Sequence, residues 1–567
     1  MNAIRSRLPI LAVLGAGLAL RLVLAYAIFP GQGLSSDLGL FSGWATALAR
    51  VGPGGFYAAA AGANYPPGYL YVLWLLGSLA TPLGGLLGMP ADRAVLLLLK
   101  LPPIAADLAI AVLLYRAARR WHGPRAGLVA AALYLFVPVT WYDSALWGQM
   151  DAVGALVMLA AVLLLVDGWS EPAAALAAFG VLVKPQDALA LVIVVPVLVR
   201  RHLLRPGSGP GSRLRAMDTR HGRVAGIGGI LADQGPRRLG TSAIAAALAL
   251  LLPILPFDIG ILGPASLAGV PVLGQLGGLG GLLVSDGAQY GVLTANAFNL
   301  WALLGPDPLA RAIGASNGAW TPDSTAILFG LPAVTLGTAA LCLVGLLVAG
   351  GLLLRDDRTA ILLGFALAAF AFYALPTRVH ERYLFPFFAV GALLVADATA
   401  RALGYVAAAL LNAINIHAVL ASPLSMGAPG GTDSFGGAGI REVGGTGGRF
   451  PGGGPGGIGA GGGGGAPGIP GGAGGLAGGV PGAAGGGPGA GGPATSIHLP
   501  LADLARSEPV VAAVALGQTL VLAVLLAAWL GLIVWPALRR PAAAIARRAR
   551  RRAEPSPPWH APGWRSS

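Results

Sequence analysis

Long apolar runs alternate with clusters of arginine along most of this chain. Several runs approach the roughly 20 residues that an α-helix needs to cross a bilayer. Hydrophobic residues make up 55% of the 567 residues, and a soluble fold could not bury that much apolar surface. We therefore predict an all-α, polytopic membrane protein. The net charge of +14 resides mostly in arginines between the runs, which is typical of cytoplasmic loops and not of a nucleic-acid-binding surface.

The arginine clusters also predict the topology. They lie near positions 5–7, 116–125, 200–238, 355–358, 401 and 539–552. If all are cytoplasmic, an even number of spans separates each neighbouring pair, which gives about twelve spans with both termini cytoplasmic. Under this rule, 69–89 is a re-entrant or surface-lying segment, because it follows NYPPGY and contains Pro82. The run 173–199 becomes a hairpin that turns at 184–186.

These spans divide the chain into four parts. We predict a transmembrane module over 1–425, with a long first external loop that carries juxtamembrane helices. The last transmembrane helix lies in 496–536, and 537–567 form a basic cytoplasmic tail that contacts membrane lipids. Residues 426–495 are mostly glycine, alanine and proline without the triplet period of collagen, so a disordered external loop is predicted there.

The polar motifs fall at one predicted face of the membrane. They are SSDLGLFSGW, NYPPGY, WYDSALWGQMD, KPQD, LTANAFNLW and TRVHERY. All lie at non-cytoplasmic ends of spans, whereas the cytoplasmic loops contain mainly arginine. A one-sided concentration of carboxylates, amides, aromatics and cations predicts a site at the outer membrane surface.

Asp37 follows the first apolar run and precedes a predicted amphipathic helix. The apolar residues of that helix recur every three or four positions and so form one face: Leu38, Phe41, Ala45 and Leu48. The Asp37 carboxylate either caps this helix or acts as a general base towards an acceptor hydroxyl. Asp143 and Asp151 are the other outer carboxylates, and the residues alone do not rank the three.

The two lysines are informative because the chain has 37 basic residues and both lysines lie at or within membrane segments. Lys100 and Asp107 are seven residues apart and are expected to pair within the bundle. Lys184, with Arg378, His380 and Arg382, forms either a cationic pocket for a phosphate or a set of anchors for lipid headgroups. Glu381 favours the pocket, since an anchor does not require an internal counter-charge.

Several catalytic signatures are missing from the sequence. It contains no Walker A motif, HExxH or CxxC. A soluble nucleotide-sugar or ATP site is therefore not expected.

The ordered set YPPGY, WGQMD, KPQ, NAFNLW and HERYLFP, after an early external Asp, resembles the GT-C membrane glycosyltransferases, in particular their bacterial GPI-mannosyltransferase-like members. Similar patterns mark the dolichyl-phosphate-glucose-dependent glucosyltransferases of N-glycan assembly. The resemblance covers about residues 8–421, and the glycine-rich insertion and last span fall outside it. It implies that the module over 1–425 is a GT-C-like catalytic bundle.

The resemblance implies an inverting single displacement. The donor would be a polyprenyl-phosphate hexose such as mannose, and the acceptor a glycolipid, glycan or protein that approaches from outside the cell membrane. Asp37 maps onto the catalytic base of the family. His380 and Lys184 would hold the leaving phosphate, with Arg378 or Arg382 in support.

The remaining expectations concern substrate contacts and cofactors. The residues assigned to substrate binding are Tyr65, Trp147, Gln149, Asp151, Asn296 and Glu381. No cofactor is expected, and a divalent ion at Asp37 and Asp151 stays open. The alternatives are a transporter or flippase for lipid-linked sugars, which predicts inverted repeats that the sequence lacks, and a non-catalytic scaffold with the same fold.

Overall fold

The computed structural model describes residues 8–60, 62–204, 235–267, 269–288, 291–303, 321–395, 399–421 and 499–553. The glycine-rich segment 426–495, most of the arginine-rich loop before position 235 and the end of the basic tail lie outside these ranges. Within them the chain is almost entirely helical, and the two strands, β1 (Ala326–Leu328) and β2 (Leu331–Pro332), form one short antiparallel pair. The all-α fold class is confirmed.

The helices are numbered in chain order. They are α1 (Leu8–Leu22), α2 (Ser35–Ala59), α3 (Pro67–Leu87), α4 (Ala91–Leu98), α5 (Leu101–His122), α6 (Pro124–Phe136), α7 (Pro138–Trp141), α8 (Asp151–Val166), α9 (Ser170–Val183), α10 (Leu189–Val199), α11 (Pro236–Ile254), α12 (Leu273–Ala288), α13 (Ala333–Leu354), α14 (Arg358–Ala374), α15 (Phe385–Val395), α16 (Thr399–Leu420), α17 (Ala502–Ala505) and α18 (Glu508–Ala553). π-Helical turns continue three of them: Val23–Ile28 after α1, Tyr142–Trp147 after α7 and Arg200–Leu204 after α10. Four short 3₁₀ turns complete the set: Pro185–Ala188, Ile259–Leu262, Ala265–Leu267 and Leu300–Leu303.

Seven of the described helical segments are long and apolar enough to cross a membrane. An eighth is added if α6 and α7 with its π-helical continuation, which are bent by 52°, form one broken span. The shorter apolar helices α8, α9, α14 and α15 lie among them. A polytopic membrane protein is thus confirmed, while the figure of about twelve crossings stays a prediction, because these helices qualify by length and composition alone.

Two local predictions can be compared with the helices directly. The chain breaks at Lys184, where α9 ends and a 3₁₀ turn leads into α10, and these two helices pack against each other as predicted for the hairpin. By contrast, α3 continues through Pro82 and has the length and composition of a span. Its helix is supported by packing, because Gly77 brings α3 against the backbone of α2 at Ala45.

Two hydrophobic clusters build the bundle. The larger joins α1, α5 to α10, α13 to α16 and α18, and the smaller joins α2, α3 and α4 with parts of α9, α11 and α12. Residues of α9 contribute to both clusters, so this helix connects them. The polar motifs of the sequence meet in the space between the two clusters.

A buried ion pair fixes α1 against α5 and α6. The Arg21 Nε atom donates to Asp107 Oδ2 at 2.8 Å, and both side chains are fully buried. The Tyr134 hydroxyl donates to the other Asp107 oxygen at 2.7 Å, and Arg21 also donates to Thr140. The predicted pairing of Lys100 with Asp107 is wrong.

The Asp107 carboxylate is occupied by Arg21 and Tyr134, so it is not available to Lys100. The Lys100 ammonium instead donates to the backbone carbonyls of Ala145 and Leu146, at 2.7 and 3.3 Å.

We expect Asp107→Asn to lower the free energy of unfolding by about 3–5 kcal/mol, because it leaves the Arg21 charge buried without its counter-ion. The measurement is unfolding of the purified protein in detergent micelles. Asp167→Asn is the matched control: its ion pair with Arg120 is exposed, so a loss under about 1 kcal/mol is expected. Equal losses in the two variants would contradict this assignment.

Candidate active site

A cavity of about 340 Å³ lies between the two hydrophobic clusters. Its walls come from the start of α2, the loop before α3, the turn at Lys184, the end of α12 and the segment between α14 and α15. The predicted site residues on its wall are Asp37, Tyr65, Gln149, Lys184, Arg378, His380 and Arg382. Several motifs that lie far apart in the sequence therefore converge on one space.

Asp37 lies in the first turn of α2, where the helix dipole favours a carboxylate. Its Oδ2 atom accepts hydrogen bonds from Trp147 Nε1 at 2.8 Å and from Gln149 Nε2 at 2.5 Å. The N-cap position of α2 is Leu34, and no side chain caps the helix. The capping alternative is therefore excluded, and the carboxylate is oriented by two side-chain donors from the WGQMD motif.

The predicted apolar face of α2 holds Asp37 in place. Leu38, Phe41, Ala45 and Leu48 are all buried in the smaller hydrophobic cluster. The Phe41 ring packs edge-on against Tyr65, with the ring centroids 5.6 Å apart. The helix that carries Asp37 is thus fixed by packing beneath the cavity.

Arg382 stands at the centre of the site. Its Nη1 atom donates to Glu381 at 2.7 Å, its Nη2 atom lies 3.7 Å from Asp37 Oδ2, and its Nε atom lies 3.6 Å from Asp151 Oδ2. The guanidinium also lies over the Trp147 ring, 5.1 Å from the ring centroid. Glu381 is thus the neighbouring counter-charge of Arg382 in the fold.

Lys184 forms the second cationic point. Its ammonium donates to Asp151 Oδ1 at 2.7 Å and lies 5.0 Å from the centroid of the Tyr383 ring. Gln186 donates to the same Asp151 oxygen at 3.0 Å. Because Asp151 is buried, this ion pair ties the KPQ turn to the start of α8.

His380 is buried on the cavity wall and packs edge-on against Tyr383, with the ring centroids 5.2 Å apart. Burial, together with the charges of Arg382 and Lys184, lowers the pKa of His380 well below its ordinary value. The imidazole is therefore neutral at neutral pH. It offers a phosphate one N–H donor and not a positive charge.

The cavity is less cationic than the sequence suggested. Lys184 is paired with Asp151, and Arg382 with Glu381. An ammonium has three N–H donors and a guanidinium has five, so both groups keep donors for an anion while their carboxylates fix their positions. The arrangement favours an anion whose oxygens accept hydrogen bonds from these fixed N–H donors.

Arg378 has a different environment from Arg382. Its Nε atom donates to Asp323 Oδ2 at 2.6 Å, and its Nη1 atom donates to the Gly287 carbonyl at 2.7 Å. Arg378 therefore connects the TRVHERY segment to the end of α12.

Four predicted residues lie behind the cavity wall: Trp147, Asp151, Asn296 and Glu381. The NAFNLW segment containing Asn296 supports the segment between α14 and α15. Asn299 donates to the Tyr373 carbonyl at 3.0 Å, and Trp301 donates to the Leu375 carbonyl at 2.7 Å.

The carboxylates left unranked by the sequence are now distinguished. Asp143 is fully buried, does not line the cavity, and its carboxylate has no hydrogen-bond partner in the described part of the chain. Asp151 is held by Lys184 behind the wall. Asp37 is the one of the three that faces the cavity.

Two cavity residues were not singled out by sequence reasoning. Asn64 begins the NYPPGY motif but was not assigned a role, and Asp286 lies near the end of α12, 222 positions away. Asn64 Nδ2 donates to Asp286 Oδ1 at 3.0 Å. Asp286 follows a run rich in glycine and leucine, and no local pattern there indicates a site. Among the described residues, no group of three or more His, Cys, Asp or Glu side chains is placed to hold a metal ion.

One family model matches part of the chain. Residues 66–207 match the model described as dolichyl-phosphate-mannose-protein mannosyltransferase. The matched segment begins within YPPGY and includes WGQMD and KPQ. The match confirms the resemblance to GT-C membrane glycosyltransferases that the motifs indicated. No curated protein sequence matches the chain.

Among solved structures, the chain is similar to the oligosaccharyltransferase of Archaeoglobus fulgidus. The structure of AglB with an inhibitory peptide and a dolichol-phosphate has 14% identity and a TM-score of 0.36, covering 72% of this chain and 51% of that chain. The form tethered to an acceptor peptide has 15% identity and a TM-score of 0.35, covering 72% and 50%. The chain spans about half the length of these proteins.

We expect His380 to make stability depend on pH. Because its pKa is lowered in the folded protein, its stabilising contribution is fully present above pH ~6.5 and is lost as the pH falls below that value. Unfolding in detergent at about pH 7.5 and about pH 5.5 should show a smaller loss of stability for His380→Gln than for the wild type. The exposed His122→Gln variant should behave like the wild type. The same loss in all three proteins would show that His380 is not the group responsible.

Proposed function

We propose that this protein transfers a hexose, with mannose the first candidate, from a polyprenyl-phosphate donor to an acceptor hydroxyl at the non-cytoplasmic face of the membrane. The observation that carries the proposal is the shared cavity. An oriented carboxylate, Asp37, faces the same space as the N–H donors of Lys184, His380 and Arg382. A base and an anion-binding group on one cavity wall are the two requirements of transfer from a phosphate leaving group.

The proposed reaction is a single displacement with inversion. The Asp37 carboxylate takes the proton from the acceptor hydroxyl, and the acceptor oxygen forms a bond to the anomeric carbon. The bond between that carbon and the phosphate oxygen breaks, and its electron pair stays on the polyprenyl phosphate. Trp147 and Gln149 both donate to one Asp37 oxygen, Oδ2, so the second oxygen is the one assigned to the acceptor proton.

The leaving phosphate gains negative charge as the bond breaks. Lys184 and Arg382 would stabilise that charge, and the neutral His380 ring would add a directed hydrogen bond. Because Arg382 also lies close to Asp37, it couples the position of the base to that of the phosphate. Arg378 lines the same cavity and would support this arrangement through its contact with the end of α12.

An apolar groove next to the cavity supports a lipid-linked donor. It has a volume of about 290 Å³ and lies between α10, α13 and α14. It shares Pro185, Gln186 and Phe372 with the polar cavity, so a phosphate in the cavity could extend an apolar chain into the groove. The polyprenyl chain is the part of the donor that fits such a lining.

The choice of mannose and of the outer membrane face is supported by the family match and by the arginine clusters. The description of the matching family names dolichyl-phosphate-mannose as donor and protein as acceptor, which favours mannose here. The positions of the arginine clusters support a site at the outer face of the cell membrane, with both termini cytoplasmic. A glycolipid, a glycan and a protein all remain candidate acceptors.

The direct test is transfer by the purified protein with a synthetic polyprenyl-phosphate mannose. We expect release of polyprenyl phosphate that depends on an added acceptor. We expect Asp37→Asn to reduce this release by about 10²–10⁴-fold, because the base is lost while the hydrogen-bonding shape is kept. Asp92→Asn, on the exposed first turn of α4, is the control and should keep full activity.

Normal turnover by Asp37→Asn would remove Asp37 from the role of base. Movement of the intact lipid across vesicles, without release of polyprenyl phosphate, would instead support a flippase.

We also expect Gly345→Trp to discriminate against long donors. Gly345 lines the apolar groove, and the space beside its Cα is open, so a large side chain enters the groove without a backbone clash. The KM for a long-chain donor should rise about tenfold or more, while a short-chain analogue should be used as before. Gly350→Trp is the matched control, because Gly350 is equally open on the same helix and does not line the groove. An equal effect on both chain lengths would refute the groove assignment.

A further inference from the structure

The proposed reaction leaves one acidic residue of the cavity without a role. Asp286 lies in the last turn of α12 and lines the cavity together with Asn64. The Asn64 carboxamide donates to Asp286 Oδ1 at 3.0 Å, so the two side chains form one polar unit on the wall. This unit joins the first loop to a helix more than two hundred residues later.

The position of Asp286 is electrostatically unfavourable for the fold itself. The C-terminal end of a helix carries partial negative charge, which disfavours a carboxylate, and no basic residue accompanies it in the last turn of α12. Burial raises the pKa of Asp286, although the charge of Lys184 and the hydrogen bond from Asn64 oppose this effect. A carboxylate kept in such a place is better explained by a ligand than by stability.

The surroundings hold the pair rigidly. Arg378 donates to the carbonyl of Gly287, next to Asp286, and is itself paired with Asp323. On the other side, Asn64 precedes Tyr65, whose ring packs against Trp44 with the centroids 5.3 Å apart. Rigid support of this kind is what a specificity-determining contact requires.

The charge of Asp286 restricts the ligand. A carboxylate repels a phosphate, yet Asp286 faces the same cavity as Lys184, the proposed phosphate contact. The part of the donor next to the phosphate is the sugar, which is neutral and carries several hydroxyls. A carboxylate accepts hydrogen bonds from hydroxyls, and a carboxamide both donates and accepts.

We propose that Asp286 and Asn64 bind hydroxyls of the transferred hexose and so select the sugar of the donor. This inference rests on the proposed function, because it assumes a donor phosphate near Lys184. It assigns the two residues to binding of the sugar and leaves the base and the phosphate contacts as described above.

The test compares two lipids, polyprenyl-phosphate mannose and bare polyprenyl phosphate, in binding to the purified full-length protein. For the wild type, we expect tighter binding of the mannose lipid. Asp286→Asn should weaken binding of the mannose lipid by about tenfold or more, as expected for the loss of a hydrogen bond to a charged group. It should leave binding of the bare phosphate unchanged or make it tighter, because a negative charge has been removed from the cavity.

Asn64→Ala should also weaken binding of the mannose lipid and leave binding of the bare polyprenyl phosphate unchanged. Asp258→Asn is the matched control, because Asp258 is exposed and does not line the cavity. In transfer assays, Asp286→Asn should also reduce the preference for mannose over its epimers. If Asp286 had only a structural role, Asp286→Asn would change the binding of both lipids by the same factor and leave the epimer preference unchanged.

The outcomes separate this inference from the proposed function. The sugar assignment is refuted, and the proposed transferase stands, if Asp286→Asn weakens binding of both lipids equally or of neither lipid. The same holds if the variant raises only the KM for the acceptor. If the wild type binds neither lipid, the proposed donor is refuted, and the sugar assignment falls with it.

Discussion

The Arg382 guanidinium is the interaction on which the rest of the site depends. It lies within ion-pair distance of Asp37, Asp151 and Glu381, and it covers the Trp147 ring. These partners come from three separate motifs, so one side chain aligns the proposed base, the carboxylate that holds Lys184 and the aromatic residue that orients the base. A buried guanidinium needs such partners, because an unpaired charge in this environment costs several kcal/mol.

The supporting structure follows from the same constraint. Trp301 and Asn299 hold the end of α14 by its carbonyls, and Arg378 ties the TRVHERY segment to α12. The chain that leads into the HERYLFP motif is thus held at the end of α14 and at Arg378. The two hydrophobic clusters meet at this point, which leaves a polar cavity next to an apolar groove and suits a ligand with a charged head and an oily tail.

The agreement between sequence and structure is uneven for identifiable reasons. Helical periodicity predicted the buried face of α2, and the arginine clusters predicted the break at Lys184, because both signals are local and strong. The pairing of Lys100 with Asp107 failed because Arg21, 86 positions away in sequence, takes the Asp107 carboxylate, while Lys100 donates to two backbone carbonyls. The helix of α3 continues through Pro82 and has the length and composition of a span, so whether 69–89 crosses the membrane stays a prediction.

The sequence by itself determined the membrane class, the helical fold and the set of motifs that form the site, since hydrophobicity and rare buried charges are properties of composition and order. Only the tertiary structure decided which charges pair, which carboxylate faces the cavity, and that Asn64 and Asp286 belong to it. Those outcomes depend on contacts between segments up to 222 positions apart. Side-chain pairing across such distances is set by packing of whole helices, which no local pattern encodes.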